Sequence, residues 1–532
     1  MHKEIIFSKE ARDKLKAGVD KLAAAVTTTL GLKGRNVAIG RGWVDPYVVH
    51  DGVTVAKQVV LEDPFENIGA QIVREAASKT NDNVGDGTTT ATLLAQKIIG
   101  RALNVIESGS NPMMIKRGLE KGLEAITKHL EGQSVPIKTK KEKAQVATIS
   151  AQSEEIGEII ADAYEQVGEN GIVTFTASNG FDMEVEVKSG ARTDTGYASP
   201  YFMTDPNTQE AIMDDAKVLV LDMKMETVAD VSLALNGLMK ETKKLLIIGE
   251  VEGEALITLL YNKNKLNSIV VKPPFMGSRR KEALQDLAIL TGAKLVSEDL
   301  GRTFDSITTD DLGQIDKIIS GKNESVFIGG KGDKKMIKER AKFIKQEVES
   351  SKGMKKEILQ HRLAMFSGNV AVIKVGAPTE GEMMEKKLRV EDAVNATKAA
   401  MDGGIVAGGG VALLQARESL NDVNLKGDEQ VGIQILRDIL DTPLRKIVEN
   451  AGMEGAEILA NLKEINQGFN VMTMEYGNMI EMGVTDPVKV PISALKNAVS
   501  VATLVITTDC IIAPSDSDSS PSPTPTPPIM NR

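Results

Sequence analysis

The sequence predicts a multidomain protein of α plus α/β class, helical at both ends of the chain and alternating strands with helices only in the middle. Three observations carry that expectation. A chain of 532 residues is too long for a single hydrophobic core. Apolar residues recur at helical spacing near both termini, whereas short apolar runs such as Val218-Leu219-Val220-Leu221, Leu245-Leu246-Ile247-Ile248 and Ile269-Val270-Val271 alternate with helical segments between them. The pattern breaks at Ser134-Val135-Pro136 and changes character again near Gly190.

Taken in order, residues 9–30 carry helical spacing (Leu15, Val19, Leu22, Ala23, Val26) and run into a basic, glycine-bracketed loop, Thr29-Leu30-Gly31-Leu32-Lys33-Gly34-Arg35-Asn36. Val37-Ala38-Ile39 and Tyr47-Val48-Val49 predict a hairpin with Gly42, Asp45 and Pro46 at its tip, closed by an Asp-Gly turn at Asp51-Gly52. Helices are expected over 67–81, 91–103 and 112–130, and again over 154–167 after the Thr148-Ile149-Ser150 stretch. Residues 171–175 and 183–187 read as strands, 335–365 as highly charged, solvated helices, and 371–376 as a strand. Val390-Glu391-Asp392 is expected to open a helix that feeds a second glycine loop, 403–410. The helical end is interrupted by Gly468-Phe469-Asn470 and Thr485-Asp486-Pro487, and the Ser/Asp and Pro/Thr tract 515–528 predicts a disordered tail. Helical ends around a central α/β insert predict nested domains, in which the chain leaves a base, crosses a hinge, builds a far domain and returns.

Composition narrows the chemistry. A net charge of −10 argues against a nucleic-acid surface, and the one cysteine, Cys510, excludes an intrachain disulfide and fits a reducing compartment. Four scattered histidines give no zinc spacing. The start of the chain lacks the apolar core of a signal peptide, and no apolar run approaches a membrane span, so a cytoplasmic protein is expected.

The chemically suggestive stretch is Val84-Gly85-Asp86-Gly87-Thr88-Thr89-Thr90. A helix starting there aims free N–H groups and its positive dipole end at whatever precedes it, with threonine hydroxyls as extra donors, which suits phosphate. Asp86, held between two glycines, has the oxygens that a phosphate-bound Mg²⁺ takes from protein. An Asp/Gly turn that merely caps a helix is the competing reading.

Four segments decide between them: Gly85-Asp86-Gly87-Thr88-Thr89-Thr90-Ala91-Thr92, Arg389-Val390-Glu391-Asp392-Ala393, Val406-Ala407-Gly408-Gly409-Gly410-Val411-Ala412-Leu413 and Glu475-Tyr476-Gly477-Asn478-Met479. In this order they resemble the group I chaperonins, the GroEL family of 60 kDa chaperonin subunits, from Lys3 to Cys510. The resemblance implies an equatorial ATPase domain (1–132 and 403–514), an intermediate hinge (133–189 and 371–402) and an apical client-binding domain (190–370), with 515–532 outside the match. It implies a protein-folding ATPase using ATP, Mg²⁺ and K⁺, which assembles with itself into seven-membered rings, commonly stacked, around a chamber. Unfolded proteins are the clients, and a GroES-like co-chaperonin is a further partner.

Carried over by motif, the phosphates lie against Thr29, Leu30, Gly31, His50, Gly87, Thr88, Thr89 and Thr90, and Asp86 is the Mg²⁺ ligand. Gly409, Asn470 and Asp486 match the contacts to the nucleoside. Asp392 matches the catalytic aspartate, brought in by the hinge, with Asp51 as a second carboxylate at the attacking water; without the match, Asp392 reads as a first-turn helix acid. The client surface is carried by Tyr197, Tyr201, Phe202, Leu235, Leu256, Leu260 and Tyr261. This chain departs from the family pattern in having Leu32 for proline, His50 for lysine, Ser232 for leucine and Tyr261 for a small aliphatic residue. Loss of the proline frees about 0.5–1 kcal/mol of loop preorganisation, and His50 is mostly neutral at pH 7. Two other readings remain: a ring that holds clients passively with weak ATP cycling, and a small-molecule phosphotransferase, for which the chain offers no Walker lysine or kinase loop set.

Overall fold

The structure, a computed structural model, describes residues 3–514 apart from 42–43, 169–170, 179, 206–208, 241, 264, 352 and 463. The tail expected over 515–528 and the hairpin tip at Gly42 lie outside the described residues. The chain forms two compact units, one of Met1–Asp162, Phe175–Met183 and Val375–Arg532, the other of Ala163–Thr174 and Glu184–Lys374.

The first unit is helical and closes on both ends of the described chain. Strand Lys3–Phe7 pairs antiparallel with Cys510–Pro514, Phe7 opposite Cys510 and Lys3 opposite Pro514. The core lies between the helices Ser8–Val26, Pro64–Val84, Thr88–Glu107, Pro112–Gly132, Asp428–Ile439 and Lys489–Ile506. Lys489–Ile506 is long and apolar enough to cross a membrane, contrary to the expectation from the sequence. Two-thirds of it is buried inside the protein, so its apolar character is that of a central core helix. Glycines let the helices approach closely: a Cβ on Gly18 would stand 1.7 Å from the Glu66 carbonyl oxygen, and one on Gly69 2.2 Å from that of Leu15.

Several local expectations change. Asp51-Gly52 does not close the hairpin; the Asp51 carboxylate accepts from the N–H groups of Val53 and Thr54 and caps a helix, Gly52–Gln58. Asp45 and Pro46 belong to strand Val44–Val49 rather than to a tip. A helix Lys140–Ala151 precedes Gln152, started by a capping box between Thr139 and Glu142 that the charged sequence masked. The helix expected to open at Val390 runs Glu380–Gly403, so Asp392 sits in its interior and a first-turn dipole role is excluded.

The second unit is α/β. Within this unit the sheet includes, in order, Asn369–Val375, Glu184–Thr193, Ser325–Ile328, Gly313–Ser320, Ala211–Met225, Lys244–Val251 and Asn267–Val271, with the last three mutually parallel and Leu295–Ser297 also paired parallel with Ala211–Met225. Leu245 to Ile248 and Ile269 to Val271 are fully buried, as expected of strands covered on both faces. The charged helices Lys334–Ser350 and Met354–Ser367 are not simply solvated: Arg362 is 1% exposed and donates to Asp286 at 2.6 Å, and Arg340 donates to the same carboxylate at 2.7 Å.

Candidate active site

Two adjoining clefts in the first unit share Leu30, Gly31, Asp86, Gly87, Thr90, Ser150 and Gln152 as walls. They enclose about 1060 Å³ and 700 Å³, including space open to solvent. The larger is mostly apolar and is lined also by Ile149, Pro443, Ile447, Phe469, Asn470, Gly409 and Asp486. The smaller is polar and is lined also by Thr29, His50, Asp51, Thr88, Thr89, Glu385, Arg389 and Asp392. Every residue singled out for nucleotide binding or catalysis therefore lines one cleft or the other. Ser150, Gln152, Glu385, Arg389 and most of the apolar walls were not singled out as site residues; the place of Arg389 at the head of a quoted segment was the signal that could have found it.

Backbone geometry builds the junction. Gly85 (φ 74°) ends helix Pro64–Val84 and Gly87 (φ 81°) starts Thr88–Glu107, both in the left-handed region that side chains avoid. A Cβ at Gly85 would stand 2.4 Å from the Cβ of Asn395, so the turn packs directly on the Glu380–Gly403 helix. No side chain caps Thr88–Glu107. Its first N–H groups have no partner within the helix and lie at the wall of the polar cleft. Gly52 brings the Asp51 cap against the same helix end, since a Cβ there would meet the Thr89 hydroxyl at 2.2 Å.

The opposite wall is the loop after helix Ser8–Val26. Asn450 donates to the carbonyls of Thr27 (3.0 Å) and Leu30 (2.9 Å), while Gly34 donates to Gly31 and Arg35 to Thr28, each at 2.8 Å. Leu32 packs against the apolar cluster that includes Ile447 and Val448. The freedom expected from the missing proline is thus offset by side-chain and backbone anchors. Thr29 and Thr89 join the two walls through their hydroxyls, 3.2 Å apart.

Carboxylates converge in the polar cleft. Burial, and next the charges of Asp51 and Asp86, push Asp392 well above the usual carboxylate range. Burial also raises Asp86, although the Gly87 N–H (2.5 Å) and the Ser150 hydroxyl (3.3 Å) donate to it. In the larger cleft, strand Thr485–Pro487 pairs with Ile405–Ala407, Asp486 opposite Val406, and burial lifts Asp486 to about 7. Such a cluster of acids favours a cation. Among the described residues, no group of three or more acids, histidines or cysteines could hold a metal by itself. The Asp86 carboxylate, beside the uncapped end of Thr88–Glu107, is a donor of the kind that a phosphate-bound Mg²⁺ takes from protein.

His50 is placed in the polar cleft but not as a phosphate donor. Its Nδ1 lies 3.1 Å from the Asn36 Oδ1 and its Nε2 3.0 Å from the Gln152 amide nitrogen, the pattern of a neutral ring donating through Nδ1 and accepting at Nε2. Burial, then the charge of Arg389, lower its pKa. With both nitrogens committed, it has no proton to offer a phosphate.

The residues expected to present a client surface separate into two sets in the second unit. Tyr197, Phe202 and Leu235 are core, respectively 4%, 0% and 8% exposed, so the expectation of surface placement fails for these three. Helical phase explains the last: Val231, Ala234 and Leu235 share the inward face of Val228–Leu235, leaving Ser232 and Leu233 outward. Leu256 and Leu260 are half-buried against the same core. Tyr201 and Tyr261 are 80% and 90% exposed, accompanied by Leu233 and Ile257, which sequence reasoning missed.

A family model described as the TCP-1/cpn60 chaperonin family matches residues 22–516. The chaperonin gp146 from bacteriophage EL 2 (Pseudomonas aeruginosa), crystallised in the presence of ATP-BeFx, superposes in its crystal form II with a TM-score of 0.70 at 21% identity, covering 96% of this chain and 99% of that one. Crystal form I superposes at 0.62 with the same identity and coverage. The architecture is therefore the multidomain, GroEL-like one of α plus α/β class.

Proposed function

The chain belongs to the TCP-1/cpn60 chaperonin family, and from that premise we propose that it is a group I-type, ATP-driven folding chaperonin whose nucleotide site is the pair of clefts just described. The observation that carries the proposal is the uncapped N-terminus of Thr88–Glu107 facing Asp51, Asp86 and Asp392 across one polar cleft. The crystallisation of gp146 with ATP-BeFx lends support.

In this reading the adenosine of ATP fills the apolar cleft between Ile149, Ile447 and Phe469, with Asp486 and Asn470 as its polar contacts. Asn470 already accepts from the Met472 N–H at 2.9 Å, so its amide nitrogen is the group left for the ligand. The phosphates lie against the N–H groups and hydroxyls of Thr88, Thr89 and Thr90 and the Thr29–Gly31 loop. Mg²⁺ on Asp86, with K⁺ nearby, supplies charge neutralisation at the phosphates when bound. Asp51 and Asp392 orient a water; its oxygen bonds to the terminal phosphorus as the bond to the ADP oxygen breaks, and its proton passes to Asp392. A raised pKa makes Asp392 a better acceptor for that proton, provided it is ionised when the substrate is in place.

We further propose equatorial segments 1–132 and 403–514, intermediate segments 133–189 and 371–402 and an apical segment 190–370. Subunits of this kind assemble in a seven-membered ring in the cytoplasm, bind unfolded clients on exposed apical side chains, and engage a GroES-like lid. A second reading, slow cycling with passive holding, is favoured by the neutral His50. Refolding of a captured client with ATP, compared with a non-hydrolysable analogue, separates the two, and absence of client-stimulated ATP turnover overturns the first.

A further inference from the structure

Among the described residues that line the two clefts, one carries a fixed positive charge, Arg389. Around it the polar cleft holds Asp51, Asp86, Asp392 and Glu385. His50 adds no charge, because its ring is bonded on one side to Asn36 and on the other to Gln152. A nucleoside triphosphate would bring several more negative charges into this space, and the N-terminus of one helix offers only about half a positive charge against them.

The hydrogen-bonding capacity of Arg389 is incompletely used. Its Nη2 pairs with Glu385, one turn earlier on Glu380–Gly403, whereas its Nε is buried with no hydrogen-bond partner. A buried donor left unpaired is costly, so a conformer that satisfies it is favoured once an acceptor arrives. Arg389 also stands three residues before Asp392 on one helix, the spacing that places side chains as neighbours. Its guanidinium is close enough to His50 for its charge to act on the ring.

We propose that Arg389 is a catalytic residue that exchanges Glu385 for the terminal phosphate of bound nucleoside triphosphate, and that this side chain makes the site prefer triphosphate to diphosphate. The inference rests on the nucleotide reading given above. A guanidinium presents paired donors in the geometry of phosphate oxygens, and arginine at the charge of a phosphoryl-transfer transition state accelerates such reactions by about 10³–10⁵. Exchanging one anionic partner for another keeps the number of ion pairs constant. Glu385 then acts as the resting partner, holding the arginine at the cleft until nucleotide enters.

The test uses the full chain. Binding of Mg-ATP and Mg-ADP is measured by calorimetry in an Asp392→Ala background, where ATP persists, and turnover is measured with Asp392 intact. Arg389→Gln is expected to weaken ATP by about tenfold or more, a loss of some 1.4 kcal/mol, while ADP affinity changes far less, and to lower turnover by at least about 10². Arg389→Lys should recover part of both. Adding His50→Lys to Arg389→Gln should restore the preference for ATP, because it returns a cation to the same cleft; a purely structural role for Arg389 would not be repaired in this way. Glu385→Gln should tighten ATP. Equal losses for ATP and ADP, or no repair by lysine at either position, overturn the inference while leaving the nucleotide reading intact. A wild-type chain that binds neither nucleotide overturns both.

Discussion

His50 accepts a hydrogen bond from Gln152 at Nε2, 3.0 Å away, while its Nδ1 donates to Asn36 at 3.1 Å. Protonation would turn Nε2 into a donor facing the Gln152 amide donor, which adds to burial and to Arg389 in keeping the ring neutral. The imidazole resonances of His50 should therefore titrate below about 6.5. In terms of stability, a depressed histidine stabilises the fold above its unfolded value, and that contribution is lost as pH falls towards the folded one. Gln152→Glu should raise the midpoint; an unshifted midpoint in the wild-type chain would show that the pairing does not form in solution.

Asp392→Ala is expected to bind ATP and to hydrolyse it about 10²–10⁴-fold more slowly. Calorimetry and phosphate release measured together make the check, since turnover at the wild-type rate would remove Asp392 from the chemistry.

Burial lifts Asp486 from an ordinary 3.8 to about 7. Between those values the folded protein holds a proton that the unfolded chain has released, so this carboxyl loses its stabilising contribution as pH rises through about 7. Asp486→Asn should raise Tm at pH 8 relative to wild type, by roughly 2–4 °C for each kcal/mol relieved. At pH 5 the difference should shrink. Equal Tm differences at both pH values would contradict the assignment.

Gly85→Ala is expected to destabilise the first unit by more than about 1 kcal/mol, from positive φ alone, with a further penalty from the 2.4 Å approach to Asn395. Gly100, inside the Thr88–Glu107 helix, is the control, because a methyl group added there would meet nothing within 4 Å. Gly100→Ala should stabilise by about 0.5–1 kcal/mol. Denaturant titrations of the two variants give the comparison.

On the second unit, Tyr201→Ser with Tyr261→Ser should weaken capture of an unfolded client while changing stability by no more than about 0.5 kcal/mol each. Phe202→Ala, by contrast, should cost about 3–5 kcal/mol because it empties a core position. Client binding unaffected by the first pair would remove those tyrosines from the surface. Restoring the family pattern with Ser232→Leu and Tyr261→Val should alter affinity for a GroES-like lid.

How much of this was legible beforehand depended on the kind of signal. Helices with apolar periodicity, such as Glu154–Val167, and strands buried on both faces, such as Lys244–Val251, follow from local pattern alone. The helix Lys140–Ala151 did not, because charged residues open it and its apolar face is short. The gathering of the motif residues around the two clefts was legible, since loops such as Gly85-Asp86-Gly87 announce unusual backbone. Gln152 and Glu385 were not, and Arg389, although it opens one of the four quoted segments, was given no role, because their significance lies in what faces them across the cleft. The residues expected at a client surface mark a third case: apolar identity cannot say which face of a two-turn helix is outward, and on Val228–Leu235 it is Leu233 rather than Leu235 that is exposed.

Arg389, Asp392 and Asn395, the last packed on Gly85, stand at intervals of three along Glu380–Gly403. Their relative bearings are set by the pitch of one continuous helix, not by loops that could absorb an error. Adding or removing a single residue between Arg389 and Asn395 would swing one end of the trio about 100° against the other, although every side chain was retained. Over this stretch the length of the chain matters as much as the identity of its side chains.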